Sequence, residues 1–149
     1  ETDAQLTYNP STNILSTSAS QAQYADLAEY YTADQNYAPG TVVMFGGSEE
    51  LTVAETATTR VAGVISTNPA YVMNAKLVDN NETTVALALQ GRVPCRVIGQ
   101  ITKGDLLISG GNGVAKRSKV PQIGQAIGKA LENYNSEQEG VIEVVVGRL

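Results

Sequence analysis

The sequence predicts an all-β fold, a compact barrel or sandwich with an internal pseudo-duplication. A short hairpin and one short helix precede it. Three observations carry the prediction. From Ala38 onward, short runs of Val, Ile and Leu alternate with Gly, Pro and Asn, the composition of strands joined by tight turns. No helical stretch of about 10–15 residues separates the runs, which excludes a βαβ layout. The strand-rich region also repeats itself in outline.

Residues 1–37 differ from the rest and read as a polar segment that contacts other chains. Residues 1–23 are rich in Thr, Ser, Gln and Asn and contain no Lys, Arg or Gly. Leu6–Leu15 reads as two extended pieces around an Asn-Pro-Ser-Thr-Asn turn. Such a hairpin buries too little by itself and requires a partner surface, such as another copy of the chain. Tyr24, Leu27, Ala28 and Tyr31 follow the i, i+3, i+4, i+7 spacing of one helical face, which places the short helix in 24–37.

Residues 38–149 form the β domain. Its candidate strands are Thr41–Phe45, Glu50–Ala54, Val61–Ser66, Ala75–Val78, Thr83–Leu89, Val93–Ile98, Leu106–Ser109, Ala126–Glu132 and Val141–Val146. Within it, Pro39-Gly40-Thr41-Val42-Val43-Met44-Phe45-Gly46-Gly47 has the pattern of Lys103-Gly104-Asp105-Leu106-Leu107-Ile108-Ser109-Gly110-Gly111. Val61-Ala62-Gly63-Val64-Ile65 likewise matches Ala126-Ile127-Gly128-Lys129-Ala130, and Leu89-Gln90-Gly91-Arg92-Val93 echoes Val145-Val146-Gly147-Arg148-Leu149. The blocks recur in order, so two similar β units pack together. A glycine marks each point of close backbone approach or left-handed conformation.

Composition narrows the chemistry. The chain of 149 residues has no His, one Cys and a net charge of −5. Without histidine there is no Ser-His-Asp triad, no Cys-His pair and no imidazole base. A zinc site of the usual ligands is not expected, and neither is any cofactor. The acidic balance speaks against nucleic acid as a partner. No apolar run approaches the roughly 18 residues of a membrane span. The first residue is Glu1 rather than Met, which reads as a piece of something longer.

Several local motifs read as structure. Gly124-Gln125-Ala126-Ile127-Gly128-Lys129-Ala130 is one residue short of a phosphate loop and lacks its Ser/Thr. Cys95 lies in a strand-like run and reads as buried. Ser118-Lys119 belongs to a solvated basic loop, because neighbours on a strand point oppositely. Asp79-Asn80-Asn81-Glu82 lacks calcium-loop spacing and reads as a turn.

The carboxylates Asp26 and Glu29 are the remaining acid–base candidates, provided that burial raises one of them. On a helix, positions i and i+3 share a face and act as a pair. On a strand, an odd offset puts them on opposite faces. The tyrosines around them, Tyr24, Tyr30, Tyr31 and Tyr37, suit an oligomer interface or the stacking of a host-surface glycan.

Ala25-Asp26-Leu27-Ala28-Glu29-Tyr30-Tyr31, then Gly40-Thr41-Val42-Val43, then Val61-Ala62-Gly63-Val64-Ile65-Ser66-Thr67-Asn68-Pro69-Ala70 resemble the C-terminal domains of bacteriophage tail fibres and tail spikes. In particular they resemble the intramolecular-chaperone autoproteolytic domains of the peptidase G2 type. Gly91-Arg92-Val93-Pro94, Lys103-Gly104-Asp105-Leu106-Leu107 and Gly113-Val114-Ala115 also fit. Val72-Met73-Asn74 departs from the Ile-Gly-Asn-like run expected there. The segment Leu6–Leu15 resembles the small β units that precede such domains in fibre shafts.

The resemblance implies a virion protein, a homotrimer that drives fibre assembly beside other virion proteins. It implies self-cleavage in some members, with Asp26 and Glu29 on the acidic element. The Gly-punctuated layout also resembles β-clip-like capsid decoration proteins, an alternative assembly role.

Overall fold

The computed structural model describes residues 6–17, 21–80 and 82–147. Twelve strands are present among them: β1 Thr7–Asn9, β2 Ile14–Ser16, β3 Asp26–Thr32, β4 Val42–Phe45, β5 Leu51–Val53, β6 Val61–Ile65, β7 Tyr71–Met73, β8 Thr84–Ile101, β9 Leu106–Gly111, β10 Val114–Arg117, β11 Gly128–Ala130 and β12 Tyr134–Val146. β1 and β2 form a separate hairpin, and the other strands form one sheet. No helix among the described residues is long and apolar enough to cross a membrane.

The sheet carries the predicted duplication in its strand order. Outward from the central β8–β12 pair, one side runs β6, β4, β5 and the other β11, β9, β10. β4–β5 and β9–β10 are antiparallel hairpins in equivalent places. The third echo meets itself at the centre, where Gly91 lies opposite Val146; its last residues, 148 and 149, lie outside the described residues. A parallel contact between Ala115 and Val97 closes β8, β12, β11, β9 and β10 into a five-stranded barrel.

Alternation along the strands builds two cores. Val93, Cys95, Val97, Leu107, Ala115, Ile142 and Val144 fill the barrel side. Ala33, Val43, Leu51, Ile65, Val85 and Leu87 form a second cluster. β4 serves both, so it reads as the continuous buried run Val42-Val43-Met44. Cys95 is fully buried, as expected. Burial pushes its thiol up to about 12, against a smaller lowering by Arg96. The native chain should therefore resist a thiol reagent near pH 8 and label only when unfolded in urea. Labelling of the native chain at the unfolded rate would contradict this packing.

Four sequence expectations are corrected. The short helix in 24–37 is the strand β3, paired with β8 from Asp26↔Gly91 to Thr32↔Thr84. The helical spacing of four side chains spans only two turns, and pairing with a long strand overrides it. Ala75–Val78 lies in a 3₁₀ helix, Ala75–Asn80. That helix takes in Asp79 and Asn80 of the expected turn, whose Asn81 lies outside the described residues. Thr83–Leu89 and Val93–Ile98 are one strand, β8.

Pro94 is tolerated inside β8 because of where its nitrogen points. Arg96, two residues on and so oriented alike, donates its backbone N–H to Gly40 O, away from β12. Pro94 itself lies after the end of the β3 pairing and before the single contact with β10. Its missing N–H therefore interrupts no ladder.

Candidate functional site

The site grows out of a chain crossing. β6 pairs with one side of β8, β3 with the other, and β7 with the far edge of β3. Residues 67–70 must therefore cross this part of the sheet on one face. Asp26 and Ala28 are buried while Leu27 between them is exposed, which identifies the covered face. Ala70 N–H, at the end of the crossing, donates to Asp26 O (2.8 Å), and Arg92 N–H on β8 donates to Ala25 O (3.1 Å) where the chain enters β3.

Beside the crossing lies a cavity of about 520 Å³, lined by Tyr24, Asp26, Asn68, Arg92 and Glu143 among others. Asp26 is only 5% exposed. Its Oδ2 is buried and accepts no hydrogen bond among the described residues. An unsatisfied buried acceptor costs about 1–3 kcal/mol, more when charged, so this carboxylate is the outstanding polar irregularity of the fold. Ser66 Oγ, at the start of the crossing, is the other buried side-chain oxygen without a partner among the described residues.

The structure separates the two sequence-predicted carboxylates. On strand β3 the odd offset puts Asp26 and Glu29 on opposite faces. Glu29 Oε2 accepts from Tyr31 OH (3.0 Å) on the outer side. Burial, and then the bond to Glu29, raises the Tyr31 hydroxyl above its usual range. The carboxylate that shares a cavity with Asp26 is Glu143, from β12. Sequence spacing could not find it, because the two are brought together only by the β3–β8–β12 pairing.

The four tyrosines also part company. Tyr31 and Tyr37 pack against the second core, and Tyr31 meets Phe45 edge-on with ring centroids 5.9 Å apart. The Tyr30 carbonyl accepts from Asn74 Nδ2 (3.1 Å). Tyr24 alone is largely open. It lines a second groove of about 330 Å³ with Leu27, Tyr71, Gln90 and Gly91. Tyr71 and Met73, on β7, are exposed beside it. Sequence reasoning missed both, since a three-residue edge strand leaves no periodic signal.

Tyr37 is bound into a polar knot. Its hydroxyl donates to Asp34 Oδ1 and accepts from Val53 N–H (2.9 Å). Thr52 Oγ1 donates to Asp34 Oδ2 (2.7 Å). The Tyr37 and Thr52 bonds hold the Asp34 carboxyl below its ordinary value of 3.8. Burial, and then Asp34, raises Tyr37 above 10.0.

The signs follow by linkage. The Asp34 contribution is complete above its ordinary value and is lost as pH falls through the lowered one. The Tyr37 contribution is complete below its ordinary value and is lost as pH rises through the raised one. The gap in urea midpoint between wild type and Tyr37→Phe should thus be constant between about pH 5 and 9 and narrow outside it. A gap independent of pH would refute the knot.

Comparison with known proteins returns the fold. No family model and no curated protein matches the sequence. Solved structures do match. Pre-mature bacteriophage phi29 gene product 12 aligns with a TM-score of 0.68 at 14% identity, over 90% of this chain and 23% of that one. The C-terminal fragment of the same gene product aligns with a TM-score of 0.62 at 16% identity, over 81% of this chain and 99% of the fragment. The chain thus spans about a quarter of the longer protein and nearly all of the fragment. At these identities the likeness is one of fold.

Proposed function

We propose that the chain is a structural domain of a bacteriophage tail appendage, carried in the virion at the C-terminal end of a longer protein. Its task is to self-associate as a homotrimer and so to assemble the strands upstream of it. The observation that carries the reading is the fold likeness to the phi29 C-terminal fragment, 99% of whose length aligns with 81% of this chain. The separate β1–β2 hairpin and the open apolar groove on β3 and β7 support it, since both leave large apolar side chains exposed. The test is a fusion. The chain is attached to the C-terminus of a soluble monomeric carrier, and the mass is measured by light scattering. A trimeric carrier is expected, and a monomeric one would refute the reading.

A second reading, self-cleavage, is favoured by the unpartnered Asp26 oxygen at the point where the upstream chain enters the sheet. It assigns the chemistry to Asp26 with Glu143 across the cavity, and leaves Glu29 to hold Tyr31. Expression of a precursor extended at the N-terminus tests it. Cleavage abolished in Asp26→Asn and Glu143→Gln but kept in Glu29→Gln is expected. An intact wild-type precursor would overturn it.

A further inference from the structure

We infer that the β1–β2 hairpin of one copy seats its apolar face in the Tyr24–Leu27–Tyr71 groove of a second copy. The inference rests on the reading of the chain as a self-associating domain and names the contact. Register gives the hairpin one face more apolar than the other, which carries only Ile14 among large apolar residues. Tyr8 lies opposite Leu15, and alternation places Leu6 on the same face. Thr7, Asn9, Ile14 and Ser16 occupy the other. Leu6, Tyr8 and Leu15 are each more than half exposed, at 56%, 59% and 62%. A lone two-stranded hairpin is at best marginally stable in water, so this face requires a cover.

The groove offers one. Leu27 and Tyr71 are register partners across β3 and β7 and so share a face, with Tyr71 66% exposed. Its volume of about 330 Å³ suits a few apolar side chains rather than a whole element. Both surfaces are open in the same chain, so neither covers the other within it.

A second copy is the occupant that closes both at once, whereas an unrelated partner would leave one of them bare. The contact joins two different places on the molecule, and such contacts close into rings when the rotation permits. Charge agrees. Residues 6–17 contain no Asp, Glu, Lys or Arg, so the hairpin approaches Glu29 and the net negative body without repulsion.

Cysteine pairs test the contact, because a disulfide forms only where Cβ atoms come within about 4 Å. The full chain carrying Leu15→Cys and Tyr71→Cys is oxidised mildly and run on a non-reducing denaturing gel; Cys95 is buried and silent. A ladder of dimer and trimer, collapsing to monomer on reduction, is expected. Ser16→Cys with Tyr71→Cys, on the opposite hairpin face, should give roughly tenfold less. A band of monomer size only, whether uncrosslinked or internally crosslinked, overturns the contact, as does equal crosslinking from Ser16. If light scattering of the same sample shows an oligomer without a ladder, the contact fails and self-association stands. If it shows a monomer throughout, both fail.

Discussion

Replacing Gly91 by alanine is expected to destabilise the fold by about 3–4 kcal/mol, read as a fall in urea midpoint. Gly91 sits where β3 meets β8, opposite Asp26. Its φ is +115°, and a Cβ there would stand 2.2 Å from Ala25 O and 2.9 Å from Asp26 Cα. Both neighbours are backbone and cannot rotate aside, so the start of β3 must move. Gly99 supplies the control. Its φ is +82°, but nothing lies within 4 Å of the added carbon. Gly99→Ala should cost only the conformational penalty, about 1–2 kcal/mol. Equal losses at the two sites would show that the β3–β8 contact at Gly91 is looser than described.

The second large effect lies in the barrel. Leu107→Ala should cost about 2–5 kcal/mol, because the removed methyl groups leave a cavity that the strands cannot collapse. Leu107 is fully buried on β9, in the cluster that Val93, Val97 and Val144 share. Leu51→Ala should lose a similar amount in the second cluster. Ile123, 98% exposed, is the contrast, and Ile123→Ala should stay within roughly 0.5 kcal/mol. If Leu51→Ala unfolded the second cluster while the barrel persisted, two transitions would replace one.

Much of this architecture is legible in the residues. Gly-flanked Val and Ile runs announce strands, and the Gly40 and Gly104 blocks announce equivalent hairpins before any pairing is known. What fails is instructive. Gly91 reads as a break between Thr83–Leu89 and Val93–Ile98, yet β8 runs through it and on through Pro94. The glycine accommodates the crossing with β3, and the proline nitrogen faces away from β12. β3 looked helical because Tyr24, Leu27, Ala28 and Tyr31 fit that spacing, and only its seven pairings with β8 decide otherwise.

The site was half visible. Asp26 could be named from composition, since histidine is absent, and the odd offset to Glu29 already allowed opposite faces. Glu143 and Arg92 could not be named, because they reach the cavity from strands distant in sequence. Tyr31 and Tyr37 read as interface residues, and both are partly buried against the second core. Aromatic residues beside carboxylates look the same in sequence whether they face a partner or their own core.

The central claim is that this domain exists to associate with itself. Sedimentation velocity of the isolated chain at micromolar concentration tests it most directly. The account predicts a single species of three chain masses. It also predicts that Tyr71→Asp, exposed on the surface and harmless to the monomer fold, shifts that species toward one chain mass. A wild-type chain that sediments as a monomer across the concentration range would contradict it.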